Sequence, residues 1–218
     1  MTPESLTAIT PVRNLDHIIY ATPDLSLGID RLEKLLGVRA TSGGQHPGHG
    51  TKNALIRLGD KAFLEILGPD PDQPKPSRRR WLGIDGLRAP RLSGWAAADP
   101  NLEEVMDKAA AAGVKLGAIL EGRRENSDGS SLSWRFTDPY TVLSDGIVPF
   151  FIDWKDSPHP SQRGAEGVVL IGLRAEHPDP ASVRRILLQL GIDLSVEAGP
   201  QAALIADLAC PSGRVELR

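Results

Sequence analysis

The chain has 218 residues, of which 40% are hydrophobic and 24% charged, with one cysteine and a formal net charge of −3. This is the balance of a globular chain able to bury a sizeable core, and it carries no electrostatic footprint for nucleic acid or an anionic membrane. The single Cys210 rules out an intrachain disulfide, residues 1–14 lack the apolar segment of a signal peptide, and no apolar run is long enough for a bilayer; a cytoplasmic location is expected.

The first strong pattern is Leu15–Leu25, LDHIIYATPDL. Its β-rich apolar start predicts a buried strand. Thr22-Pro23 predicts a helix start, with a capping hydroxyl followed by proline at the first helical position. Leu25, Ile29, Leu32 and Leu36 form a stripe of helical period, and Gly37 supplies the left-handed stop. Val38–Thr41 is expected as a second strand and Gly43–Gly50 as a turn-rich loop. Lys52–Leu58 and Lys61–Leu67 are expected as a hairpin about Gly59-Asp60.

The same succession returns twice. After the Pro-rich connection 69–80, which ends in Arg78-Arg79-Arg80, Arg91–Ala98 reads as a strand and Asp99-Pro100 as a helix start. Leu102, Val105, Met106 and Ala109 make the stripe and Gly113 the stop. Val114–Leu120, Leu132–Thr137 and Ile147–Trp154 are expected strands, with Arg123–Ser130 as a polar loop or hairpin tip. The third copy has a strand at Val168–Ala175, a helix start at Asp179-Pro180 and a stop at Gly191. Strands at Ile192–Val196, Ala202–Leu208 and Arg214–Leu217 complete it. A repeat of this kind outranks any single motif as a fold signal.

These residues resemble the glyoxalase-like domain family of the vicinal oxygen chelate superfamily. The resemblance rests on LDHIIYATPDL and its helix end LGV, on Gly43–Leu55 (GGQHPGHGTKNAL), on Phe63–Pro71 (FLEILGPDP), and on Pro149–Trp154 followed by His159–Ser161. It implies an α+β fold of repeated βαβββ modules, with curled, mixed or antiparallel sheets and helices packed outside. Modules 12–68 and 89–156 would form one glyoxalase-like part, 12–156, and a third module, 165–218, would pack against it. An odd module leaves a sheet edge to be covered, within the chain or in a homodimer.

The resemblance also implies a metal site, with one ligand from the first strand of a module and a carboxylate from the last. The matching residues in the first module are His17 and Glu65, which suit Zn, Ni, Mn or Fe(II); a buried hydrogen-bonded pair without metal is the equal alternative. The corresponding first-strand positions near Ser93 or Gly94 and near Gly172 offer no good ligand. The last-strand acids are Asp153 and Glu216, and which of them faces the site depends on which module pairs with the first. Glu216, Asp153 or His46 would move a proton; Thr51, Asn53, Trp134 and Arg135 would contact a substrate. His49, His159 and His177 are expected as loop or structural histidines. The function expected is a metal-dependent lyase or isomerase acting on a small oxygen-rich molecule through a stabilised oxyanion. The alternative is a metal-free protein that sequesters a small molecule.

Overall fold

The computed structural model describes residues 12–125 and 131–218. The first module comprises β1 (Leu15–Ala21), α1 (Leu25–Leu36), β2 (Thr41–His46), β3 (Thr51–Gly59) and β4 (Ala62–Pro69). The second comprises β5 (Arg91–Ala98), α2 (Leu102–Ala111), β6 (Ile119–Glu125), β7 (Ser131–Thr137) and β8 (Phe150–Asp153). Their strands make one eight-stranded sheet in the order β2-β3-β4-β1-β5-β8-β7-β6. The two modules meet through β1 and β5, which pair antiparallel, so module two is the partner of the first. Each module closes its own half with a parallel pair, β1 with β4 and β5 with β8. The outer strands β2 and β6 pack near each other without pairing, so the sheet curls almost into a barrel.

Side-chain alternation sorts the strands into two faces. Ile18, Tyr20, Ala54, Ile56, Leu64, Ile66, Trp95 and Ala97 lie on the convex face, in one core with the buried sides of α1 and α2. The concave face carries a second cluster built on Ile19, Ala21, Leu67, Trp134, Phe136 and Ile152. It is closed by Trp81, Leu82 and Ile84, which come from a 3₁₀ turn at Trp81–Gly86.

The third module has β9 (Val169–His177), α3 (Pro180–Gln189), β10 (Ser195–Ala198), β11 (Ala203–Cys210) and β12 (Gly213–Leu217). Its element succession repeats the first two, but its wiring does not. The strand order is β10-β9-β11-β12, with β9 and β10 parallel neighbours. In the first two modules the opening strand is parallel to the last strand, not the second. The third sheet lays Leu173, Ala175, Leu204, Ala206 and Leu208 against the convex core. The segment before it is fastened to β3 by Arg57 N–H to Ala165 O (2.8 Å) and Ala165 N–H to Leu55 O (3.2 Å).

Several local expectations need correction. The caps of the first two helices are Asp24 and Asn101, whose side chains accept from Leu27 N and Glu104 N, rather than Thr22 and Asp99. Only Asp179-Pro180 has the expected arrangement. The strand expected at Val38–Thr41 lies instead at Thr41–His46, where Gly43-Gly44 sits in a register shift. The strand expected at Val114–Leu120 lies at Ile119–Glu125; pairing with β7, Gly122 opposite Trp134, sets its position. The tip residues 126–130 fall outside the described residues. Among the described residues no helix is long and apolar enough to cross a membrane.

Candidate functional site

The concave face holds a cavity of about 40 Å³, partly open to solvent. Its polar lining is His17 from β1, His46 from β2, Asn53 from β3, Glu65 from β4 and Arg124 from β6. Trp81, Trp134, Phe136, Phe150 and Trp154 are its aromatic walls. The alternation that makes the core also aims these groups. His17 and Ile19 share one face of β1, Asn53 and Leu55 one face of β3, and Phe63, Glu65 and Leu67 one face of β4.

Asp16 anchors His17 from behind. Its Oδ1 lies 2.6 Å from His17 Nδ1, and its Oδ2 accepts from Trp154 Nε1 (2.9 Å) and faces His159 Nε2 at 3.1 Å. Burial pushes this carboxyl up, but the hydrogen bonds from His159 and His17 outweigh it and bring its pKa down to about 2. An ionised carboxylate only accepts, so both nitrogens facing it carry hydrogens. In neutral His17, Nε2 is then the bare nitrogen. It lies 3.7 Å from Glu65 Oε2, beyond hydrogen-bond distance. The ring stacks on Phe63, with centroids 4.7 Å apart.

A second network holds Glu65. Asn53 Nδ2 donates to Glu65 Oε1 at 2.6 Å and lies 3.4 Å from His46 Nε2. Asn53 Oδ1 accepts from Gly44 N (2.9 Å) and Arg124 Nη1 (3.3 Å). His46 Nδ1 meets Thr51 Oγ1 at 3.0 Å. Burial drives His46 down to a pKa of about 4 against the pull of Glu65, with Arg124 adding to the depression. His46 is therefore neutral at pH 7.

Arg124 is 4% exposed. Burial lowers its pKa from the ordinary arginine value, with the Glu65 charge opposing. Its Nε and Nη2, and the indole Nε1 of Trp81, are buried donors without a hydrogen-bond partner among the described residues. Two glycines make room for this network. A Cβ on Gly43 would overlap the Asn53 amide, and one on Gly44 would overlap the Arg124 stem. Trp81 is placed by Arg80, which donates to Gly50 O (2.7 Å) and pairs with Asp85.

Of the residues expected at a site, the fold brings together His17, Glu65, His46, Asn53 and Trp134, with Thr51 behind His46. It does not bring Glu216, Asp153 or Arg135. Glu216 belongs to the separate four-stranded sheet and pairs at the surface with Arg174 and Arg218. Asp153 Oδ1 accepts from Lys155 N, and Arg135, on the opposite face of β7 from Trp134, pairs with Glu103 of α2. Neither acid expected to move a proton faces the cavity. Asp16, Arg124, Trp81 and Trp154 escaped the sequence reading. Asp16 had a signal, a charge set in an apolar strand that demands partners. Arg124 was hidden by the displaced strand boundary. His159 docks its loop onto Asp16, and His49 contacts Tyr140 and Trp81.

The donor set does not suit the expected divalent metal. Among the described residues no group of three His, Cys, Asp or Glu is placed to hold one. The Asn53 amide occupies Glu65 Oε1, and a guanidinium lines the same cavity. Both oppose a cation there.

The sequence profile described as "Glyoxalase-like domain" matches residues 15–191. A solved hypothetical protein from Staphylococcus aureus is 16% identical, with a TM-score of 0.60, over 94% of this chain and 85% of that one. Methylmalonyl-CoA epimerase from Mycobacterium tuberculosis is 17% identical, with a TM-score of 0.41, over 68% of this chain and 90% of that one. The first likeness is one of fold, and the second is too distant to bear on activity. No curated protein matches the sequence. With its profile spanning both halves of the curled sheet and the cavity between them, the chain belongs to the glyoxalase-like domain family.

Proposed function

We propose that the concave cavity is the active site of an isomerase- or lyase-type enzyme that moves a proton on a small organic substrate, with His17 as base and no metal held by the chain. The observation that carries this reading is the buried Asp16–His17 pair, with Nδ1 held at 2.6 Å and Nε2 directed to the cavity side, 3.7 Å from Glu65. A carboxylate behind an imidazole fixes its orientation and tautomer and stabilises the cation formed when the ring takes a proton. His17 Nε2 would take the proton from a carbon beside a carbonyl. The C–H electron pair moves into the carbonyl, and the charge on its oxygen calls for donors aimed at it. The unpartnered indole N–H of Trp81 would supply one. Glu65 stabilises the imidazolium, and the proton returns to carbon or leaves with a departing group.

The test is solvent exchange. The protein is incubated in D₂O with a panel of enolisable 2-oxo acids, phenylpyruvate among them, and loss of the C–H signal is followed by NMR. Exchange above the buffer rate is expected, and His17→Ala should lower it about 10²- to 10⁴-fold. Panel members that bind without exchanging overturn the catalytic reading and leave a sequestering protein, which the aromatic walls suit. Metal analysis of protein purified without chelator is expected to find no stoichiometric transition metal. A bound metal lost in His17→Ala contradicts the metal-free assignment.

A further inference from the structure

The cavity's ligand has a chemical class that the polar lining specifies. We infer that Arg124 is a carboxylate-anchoring residue and that the cavity takes a small monocarboxylate with an apolar, aromatic-sized body. This rests on the cavity being the ligand site, as proposed above, and does not require the proton step.

Of the guanidinium's two hydrogen-bonding edges, only one is in use: Nη1 donates to Asn53 Oδ1. Among the described residues Nε and Nη2 both lack a partner although both are buried. Those two N–H groups form one side of the planar fork, parallel and spaced to meet the two oxygens of a single carboxylate. Leaving charged donors buried and empty is costly. The chain nevertheless keeps Arg124 in this position, since both Gly43 and Gly44 lack the side chains that would crowd Asn53 and the Arg124 stem.

Charge bookkeeping selects the anion. Glu65 already lines the cavity as a buried carboxylate beside the single guanidinium. A monoanion uses the remaining fork and leaves one excess negative charge beside Glu65, whereas a phosphate dianion would leave two. The body follows from the walls: Trp81, Trp134 and Phe136 face apolar Ile19, Leu67 and Ile152 around the same space. A second unpartnered donor, Trp81 Nε1, suits a further oxygen on the ligand.

The test uses the whole chain with benzoate, 3-phenylpropionate and indole-3-acetate, each beside its primary amide, read by calorimetry and by tryptophan fluorescence. The acids are expected to bind about 10- to 100-fold more tightly than their amides. Arg124→Gln should erase that preference by weakening the acids alone, with retained amide binding showing an intact pocket. If Arg124→Gln does not fold, Arg124→Lys, which keeps the charge but not the fork, should lose most of the preference. Equal affinity for acid and amide, an intact preference in the folded variant, or no saturable binding of any acid overturns the assignment. Acid binding without deuterium exchange sinks the proton chemistry alone, and exchange with acids and amides bound equally sinks the carboxylate anchor alone.

Discussion

Asp16 and His46 are both buried, yet they respond to acid in different windows. The pKa of Asp16 falls from 3.8 to about 2 in the fold, so its contribution is complete above pH 3.8 and is lost as pH falls through 2. At about 1.36 kcal/mol per unit this amounts to ~2 kcal/mol. His46 falls from 6.5 to about 4. The unfolded chain then takes up the proton first, and stability drops as pH goes from 6.5 to 4, by ~3 kcal/mol. Denaturant melts between pH 7 and 4 should therefore slope downward. His46→Gln should flatten that slope, although it lowers stability at pH 7; an unchanged slope refutes the assignment. Asp16→Asn should instead flatten the loss below pH 3.8. At this scale the sequence was half legible. His17, Glu65, His46 and Asn53 stand out as polar residues in or beside apolar strands, and they do converge. The absent Glu216 and the unforeseen Arg124 depend on which strands become neighbours, which side-chain chemistry alone does not encode.

At the scale of elements, glycine does its work by absence. Gly122 sits opposite Trp134, and a Cβ there would overlap the indole. Gly122→Ala should push Trp134 from the cavity wall, costing ~1–3 kcal/mol as an overpacking change and altering tryptophan emission. An unshifted emission spectrum contradicts it. Gly44→Ala should displace Arg124 and weaken 3-phenylpropionate while leaving its amide bound. The helices test capping in the same way: Asp179→Ala removes the acceptor for Ser182 N and should cost ~1 kcal/mol, read by chemical denaturation. Elements were legible where the apolar pattern met a clear stop, as at Gly37 after Leu25–Leu36 and at Asp99-Pro100 after Arg91–Ala98. They failed where a glycine-bearing segment was claimed by a partner strand. Gly43–His46, part of the segment that reads as a loop by composition, is recruited by β3 into the sheet.

At the scale of the molecule, the three-fold recurrence of strand, helix and three strands was real as a succession and misleading as a topology. Parallel pairing of β9 with β10 is the short β-α-β solution, whereas β1 and β5 each reach past two strands to find their parallel mates. Both wirings satisfy the same pattern of period and stops, because hydrophobic periodicity specifies faces and not neighbours. Convex-face residues of all three modules nevertheless share one core. Heat should therefore unfold the chain in a single calorimetric transition, and two resolved transitions would show the third sheet to be energetically separate.

The seam between β2 and β6 has one more consequence. Asn53 Oδ1 receives Gly44 from one margin of the curled sheet and Arg124 from the other, so one oxygen atom staples a closure that backbone pairing leaves open. Any occupant that seats against Arg124 also steadies this staple. The backbone amides of β2 and β6 should then exchange with solvent more slowly when the cavity is filled, out of proportion to those of β9–β12. Occupancy would thus be recorded along the rim of the sheet as well as within the cavity.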